Sequence, residues 1–330
     1  MAKTIYDIAK AAEVSIATVS RVFNRSGTVK ESTRKKVLNI ADEMGYHPQA
    51  YAQGLASKKK NNIMMLVPVM SNYFFTEILK GTQDILSSEN IELNIVNINQ
   101  EKGAFKQVEQ IIKRQWADGY LFVSLHLDDS DLKKLRRYNV PISLLDDYSN
   151  YFDSVAFDNE KGAHMATKYL LDKGYKRIAF LSGRSDAIPV LQRMNGYKSA
   201  LAENKIEFDA DLVVLGDTME RDGFTEKSGY EAMQKLLSSD IDVDACFCTS
   251  DIKAIGAQKT MREHKKSIPL ISYDNLTISE YVELTTIHQP IYDMGYNATE
   301  LLLKRIESPE AEVRNVILSP NLIIRSSSEV

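Results

Sequence analysis

At 330 residues, with 44% hydrophobic and 26% charged positions, the chain has an ordinary globular composition and the length for two or three domains. It shows no N-terminal apolar leader and no apolar run long enough to span a bilayer, so the expectation is a cytoplasmic protein with no membrane partner. The net charge of −4 is unevenly placed: residues 1–60 hold eleven Lys/Arg against five Asp/Glu, and the remainder thirty against forty. A basic head on an acidic body points to a polyanion partner for the head alone.

The run Thr4 to Asn24 reads as two short helices with a tight turn between them. Thr4 can cap the first helix, and Asp7 three residues on completes a variant of the capping box. Ile5, Ile8 and Ala9 fall on one face, with Ala12 and Val14 beyond the turn. Ser15 can cap the second helix, whose Val19, Val22 and Phe23 face inward. Ile16, Ala17, Ser20, Arg21 and Asn24 then look outward. Short polar side chains and one Arg on the outward face suit a helix whose N-terminal end must lie close to base edges in the major groove. Ile16, Ala17 and Arg21 are expected at base edges, with Tyr6, Ser15, Ser20, Asn24 and Thr33 positioning the DNA backbone. Thr4, Ile5 and Tyr46 complete the candidate set on the head.

A third helix is expected over Glu31–Met44, with Val37, Ile40, Ala41 and Met44 on one face and Gly45 as its stop. Pro48 can open another short helical segment, followed by Lys58-Lys59-Lys60-Asn61-Asn62. About two turns are too few to be helical alone in water.

Ile5-Tyr6-Asp7-Ile8-Ala9, Val14 to Val22, Gly45-Tyr46-His47-Pro48 and Gly54-Leu55-Ala56-Ser57-Lys58 resemble the signature of the lactose/galactose repressor family. The resemblance runs over essentially the whole chain. It implies that residues 1–47 are a DNA-binding head and residues 48–61 a hinge that becomes helical on DNA. It also implies that Leu55 wedges into a central base step, with Gln49 and Ala52 beside it. Unstacking a step costs about a few kcal/mol, which the bend and the extra contact offset. Gln49 and Gln53 depart from the Asn and Arg common in the family.

From Asn62 the pattern alternates. Strands are expected at Ile63–Val69, Glu92–Asn97, Gly119–Val123 and Ile142–Leu145, with helices at Thr76–Ser88, Lys102–Gln115 and Ser130–Tyr138. A second series places strands at Arg177–Leu181, Leu212–Leu215, Ala245–Cys248 and Leu270–Ser272. Its helices fall near Glu160–Lys173, Leu191–Asn204, Gly223–Ser238 and Ile252–Glu263. Repeated β-α-β units give an α/β fold of two doubly wound parallel sheets, with ligand bound beyond the strand carboxyl ends. The family resemblance implies a periplasmic-binding-protein-like core over 62–330. Its N-terminal subdomain would take about 62–158 and 290–320, and its C-terminal subdomain about 159–289 and 321–330. Cys246 and Cys248, two apart on a buried strand, read as reduced thiols.

Polar and aromatic residues follow successive strands: Asn72, Phe74, Ser124, His126, Asp146, Asp147, Asp217, Ser250 with Asp251, and Asp274 with Asn275. Carboxylates, an Arg fork and ring faces suit a polyhydroxylated ligand. Arg193-Met194-Asn195-Gly196-Tyr197 and Ser272-Tyr273-Asp274-Asn275 resemble family motifs whose Arg and first Asp hold the effector, and Phe157-Asp158-Asn159 a crossover segment lining the pocket. The effector set is therefore Asn72, Phe74, Asp146, Phe157, Arg193, Ser250 and Asp274. Ser250 and Ser272 depart from the Asn and Gly usual at those places.

Gly-x-Gly-x-x-Gly, metal-ligand spacing and a Ser/His/Asp order do not occur, and His126, His164, His264 and His288 have no sequence-local partner, so no enzyme, metal or cofactor is expected. A transport protein would explain the cleft but has no use for a DNA-reading head. The expectation is a homodimeric repressor of carbohydrate-utilisation genes on a pseudo-palindromic operator, controlled by a sugar or sugar phosphate. The segment from His288 to Gly295 also resembles the catabolite-control branch of the family, where a phosphoprotein corepressor binds the following helix. Here Glu300 stands in its middle. A purine-type corepressor is the other alternative.

Overall fold

The computed structural model describes residues 3–23, 27–46, 60–68, 73–183, 188–217 and 223–329. The head is three helices, α1 Ile5–Ala12, α2 Ile16–Phe23 and α3 Glu31–Glu43. At the start of α1 the Asp7 amide donates to Thr4 Oγ1 at 3.4 Å and the Thr4 amide donates to Asp7 Oδ2 at 2.8 Å, a reciprocal cap. These bonds from Thr4 hold the Asp7 carboxyl below its ordinary range. Ser15 caps α2 through the Thr18 amide at 3.1 Å. Gly45 takes a φ of +62° just past α3, where any side chain would strain the turn. Ile8, Ala9, Ala12, Val19, Val22, Val37 and Ala41 form the small buried core of the head.

The remaining described chain builds two six-stranded sheets. The first contains β1 Asn62–Val67, β2 Glu92–Asn97, β3 Gly119–Val123, β4 Ile142–Leu145, β5 Asp153–Phe157 and β11 Asn315–Leu318, in the order β11-β5-β4-β3-β1-β2. All of its pairings are parallel. The second contains β6 Ile178–Ser182, β7 Val213–Leu215, β8 Ala245–Cys248, β9 Leu270–Asp274, β10 Thr285–His288 and β12 Asn321–Ile323, in the order β12-β10-β9-β8-β6-β7. Only β12 runs antiparallel to its neighbour. Along β1, Ile63, Met65 and Val67 enter one core while Met64 and Leu66 enter the other; Ile178 and Phe180 alternate with Ala179 and Leu181 on β6 in the same way. A sheet covered by helices on both faces needs apolar side chains on both, which is why these strands read as unbroken apolar runs.

The helices of the core are α4 Tyr73–Glu89, α5 Ala104–Arg114, α6 Asp129–Leu135, α7 Asn159–Asp172, α8 Ile188–Glu203, α9 Glu226–Ser238, α10 Asp251–Glu263, α11 Thr277–Tyr281 and α12 Ile291–Glu307. The chain passes from the first sheet to the second after β5, returns after β10 into α12, and crosses again between β11 and β12.

Several elements depart from the sequence expectation. β5, β10, β11, β12 and α11 were not among the expected elements. β5 begins with buried polar Asp153 and Ser154, tolerated because Arg305 donates to Asp153 at 2.9 and 2.8 Å and Ser154 bonds Asn315. β11 lies at a sheet edge and β12 is only three residues long, too short for periodicity to register. β1 ends at Val67 rather than Val69, which lies outside the described residues. α8 starts at Ile188 rather than near Leu191, so Arg193 sits in its second turn.

Cys246 and Cys248 are buried, unbridged thiols on β8. Burial pushes the Cys246 thiol up to about 12. No cluster of metal-ligating side chains occurs among the described residues, and no described helix is long and apolar enough to cross a membrane.

Candidate functional site

Ile16 is 41% exposed and Tyr6 68%, and Ala17 and Arg21 are also exposed; Ser20 and Thr33 are half-buried. The Ser15 hydroxyl is engaged with the Thr18 amide and hydroxyl, and the Thr4 hydroxyl donates to Asp7 at 2.8 Å. Two members of the expected DNA-binding set turn inward. Ile5 packs against the head core, and the Tyr46 ring meets Phe23 edge-on at 5.7 Å. Asn24, Gln49, Ala52 and Leu55 lie outside the described residues.

The second candidate surface is where the strand carboxyl ends of the two sheets approach each other. Leu276, with Ile252 and Ile278 beside it, packs into the core of the first sheet alongside Phe75, Phe157 and Met294, which brings the two halves into contact there. On the second half the centre is Arg193. Gly196 lets this helix cross α7 closely: a Cβ there would lie 2.0 Å from the Glu160 carbonyl oxygen. That crossing sets Arg193, only 5% exposed, beside Asn159, whose Oδ1 accepts from Nε at 3.0 Å. Nη1 donates to the Thr249 carbonyl, and Nη2 lies 3.8 Å from Asp274 Oδ1. The guanidinium lies 3.8 Å from the Tyr273 ring centre. A buried Arg is tolerable because its planar fork is met by acceptors and a ring face.

Asp274 ends β9 with a φ of +117° and accepts from Gln289 Nε2 at 2.6 Å. Burial pushes its carboxyl up to about 8, against the pull of Arg193. Neighbouring Asn275 is fixed by Arg325 at 3.0 Å and by His288 at 3.2 Å. Beneath them Asp251 is fully buried and accepts four bonds, from the hydroxyls of Ser272, Ser279 and Thr286 and from the Leu276 amide. It braces the strand ends from below.

The first half contributes Ser124, His126, Asp146 and Asp147 from the ends of β3 and β4. Ser124, His126 and Asp146 all have left-handed backbones, with φ of 46°, 47° and 58°. Ser124 donates to Asp146 at 2.8 Å, and His126 lies 4.0 Å from Asp146 and 3.9 Å from Asp147. Burial raises the Asp147 carboxyl to about 6. Burial pushes the Tyr273 phenol well up from its ordinary value, against the pull of Arg193.

Other expected residues serve the fold. Phe157 is buried in the core of the first sheet, and half-buried Phe74 meets Phe75 edge-on at 5.5 Å. The Ser250 hydroxyl caps α10, accepting from the Lys253 amide at 3.2 Å. Asp217 is an exposed partner of Lys235 at 2.6 Å. Asn72 lies outside the described residues. Among the described histidines, His288 bonds Asn275, His264 the carbonyl of Thr260 four residues back, and His164 lies 2.9 Å from Glu203, whereas His126 Nδ1 is buried without a hydrogen-bond partner. Tyr273, the Thr249 carbonyl, Asn159 and Gln289 were absent from the expected effector set. Their signal was placement, Asn159 and Gln289 lying where the chain changes sheets. A cavity of about 270 Å³ opens beside this cluster, between Glu77, Asn275, Thr277 and the crossover His288–Asp293.

Two family models match the chain. Residues 4–49 match the bacterial regulatory proteins of the lacI family, and residues 60–326 match the periplasmic binding proteins and sugar-binding domain of that family. The chain is 34% identical to catabolite control protein A of Priestia megaterium, covering 99% of each. It is similar to a solved complex of the regulator CelR with cellobiose (28% identity, TM-score 0.71, 98% of this chain and 99% of that one). It shares its fold with a lac repressor dimer bound to operator and an anti-inducer (24% identity, TM-score 0.84, 100% of both chains).

Proposed function

The chain belongs to the lacI family of bacterial regulatory proteins, and from that premise we propose that it is a transcriptional repressor of carbohydrate-utilisation genes, working in the cytoplasm as a homodimer. The carrying observation is a capped three-helix head, with Ile16, Ala17 and Arg21 outward on a basic segment, in one chain with an Arg193-centred cleft. The division into a head at 1–47, a hinge at 48–61 and a two-part core at 62–330 follows from that premise. Two heads on a two-fold axis read the two half-sites of a pseudo-palindromic operator, and Leu55 of each hinge enters the minor groove between them.

The effector is a small polyhydroxylated molecule held between Asp146 on one side and Arg193 with Asp274 on the other. Each offers donors or acceptors already oriented by neighbours: Ser124 for Asp146, Asn159 for Arg193, Gln289 for Asp274. Binding couples to DNA only through differential affinity for two arrangements of the subdomains; about 10⁴-fold is needed to move a population from 1:99 to 99:1. A phosphoprotein corepressor is less well supported, because Glu300 in the middle of α12 pairs with Lys304 at 2.9 Å on the surface such a partner needs basic.

The test is to select a duplex from random sequence with the full chain, measure binding by anisotropy against salt, and repeat it with sugars, sugar phosphates and purines. A regulator gives a log–log salt slope near −0.9 per neutralised phosphate and an affinity that one ligand class shifts. Binding that no ligand occupying the cleft can shift defeats the control mechanism; selection of no duplex defeats the regulator.

A further inference from the structure

The two halves of the core carry the same clamp at the amino end of their first strand, and one copy sits where the head is attached. Asp244, just before β8, accepts from the Lys176 amide at 2.7 Å and the Arg177 amide at 3.0 Å, while its own amide donates to the Arg177 carbonyl at 3.0 Å. Asp118, just before β3, occupies the corresponding place, its amide donating to the Asn62 carbonyl at 2.8 Å. Its carboxylate reaches further back along the chain. Both oxygens accept the Lys60 amide, at 2.9 and 2.8 Å, and Oδ2 also takes the Asn62 amide at 3.4 Å. Between them Asn61 has a left-handed φ of 51°, a turn that neither Lys176 nor Arg177 makes.

Other bonds converge on the same point. Lys60 Nζ donates to the Ala117 carbonyl at 3.1 Å, and Asn62 Nδ2 to the Trp116 carbonyl at 3.3 Å. The Asn61 carbonyl accepts the Glu92 amide at 2.8 Å, and Asn94 Nδ2 donates to Asn62 Oδ1 at 2.7 Å. Lys60 lies on the covalent path from the head to β1. A strand end needs no such reach to start a sheet; the second half manages with the shorter clamp.

We propose that Asp118 is a positioning residue for operator binding: it fixes where and in which direction the tether leaves the first sheet, so that two tethers can meet at a set half-site spacing. The proposal rests on the dimeric repressor reading above. Charge-assisted bonds from backbone amides to a carboxylate are the strong kind, which suits a point that must carry load. Trp116, the single tryptophan of the chain, lies beside the anchor with Arg114 5.0 Å over its ring, and its emission reports on this corner.

The experiment uses the full chain and the duplex that the wild type selects, plus a duplex with one base pair inserted at its centre. Half-site spacing is a geometric demand of paired heads, so the wild type should favour the selected spacing by about 30-fold or more. Asp118→Ala should reduce that ratio to about 3-fold or less and shift Trp116 emission, and Asp118→Asn, keeping one acceptor oxygen, should fall between. Asp244→Ala removes the matching clamp from the second half and should keep the wild-type ratio. The proposal fails if a folded Asp118→Ala or Asp118→Asn protein keeps the full ratio, or if Asp244→Ala collapses it equally. A wild type that selects no duplex fails differently, taking the repressor reading and the anchor with it.

Discussion

Ser272 donates its hydroxyl to the fully buried Asp251 carboxylate at 2.5 Å, one of the four bonds that hold this carboxylate beneath the strand ends. A buried carboxylate with four donors loses stability when any donor goes, because the vacated oxygen cannot reach water. Ser272→Ala should cost about 1–2 kcal/mol and Asp251→Ala about 3–5 kcal/mol, measured by urea unfolding of the core. A Ser272→Ala core as stable as wild type removes the bracing role.

Arg193→Lys should abolish the effector response while leaving operator binding intact. An ammonium cannot bond Asn159 and the Thr249 carbonyl at once and also lie flat over Tyr273. The expected loss of effector affinity is about 100-fold or more, read by calorimetry with whichever ligand shifts the wild type. Retained affinity in the Lys variant places the ligand elsewhere.

The core should lose stability as pH rises. The Asp274 carboxyl lies at about 8 when folded, well above the value near 4 of an unfolded chain, so the native state keeps a proton the unfolded state releases. Its contribution is full below about pH 4 and is lost as pH climbs through 8. Asp147, raised to about 6, adds the same sign over a lower window. Thermal unfolding should show Tm falling between pH 6 and 8 by several degrees, at about 2–4 °C per kcal/mol. Asp274→Asn should flatten that interval; an unchanged slope excludes Asp274 as its source.

In the head, Arg21→Ala should cost about 1–3 kcal/mol of operator binding and relax base preference at one position per half-site, as a lost bidentate guanine contact does. Thr4→Ala should cost about 1 kcal/mol of head stability without changing base preference, since the Thr4 hydroxyl serves the α1 cap. Binding-site selection with each variant separates the two.

Cys246 and Cys248 should resist thiol reagents in the native chain and react only on unfolding. Both are fully buried, and burial pushes Cys246 up to about 12, which leaves almost no thiolate at neutral pH. Prompt labelling of native protein contradicts this.

Much of the fold was legible because its signals are local. The Thr4 and Ser15 caps and the apolar seam of the head lie within a few residues of each other, and β2, β3, β4 and β8 have the bounds that the sequence pattern predicts. β5 escaped because its first residues are polar and become strand only when Arg305, 152 positions away, pairs with Asp153. The cleft was legible as strand-end positions, yet Phe157 and Ser250 at such positions serve core and cap, and Ile5 and Tyr46 serve the head interior.

The sequence by itself determined the head, the alternation of strands and helices, the uneven charge and the buried thiols, since each depends on neighbours along the chain. Only the tertiary structure decided what Arg193 touches. Its acceptors on Asn159 and Thr249 stand 34 and 56 residues away, brought together by a helix crossing that the absence of a side chain at Gly196 permits. The same holds for Asp251. A buried charge is stable only where distant partners converge on it, and convergence is a property of the fold, not of the string.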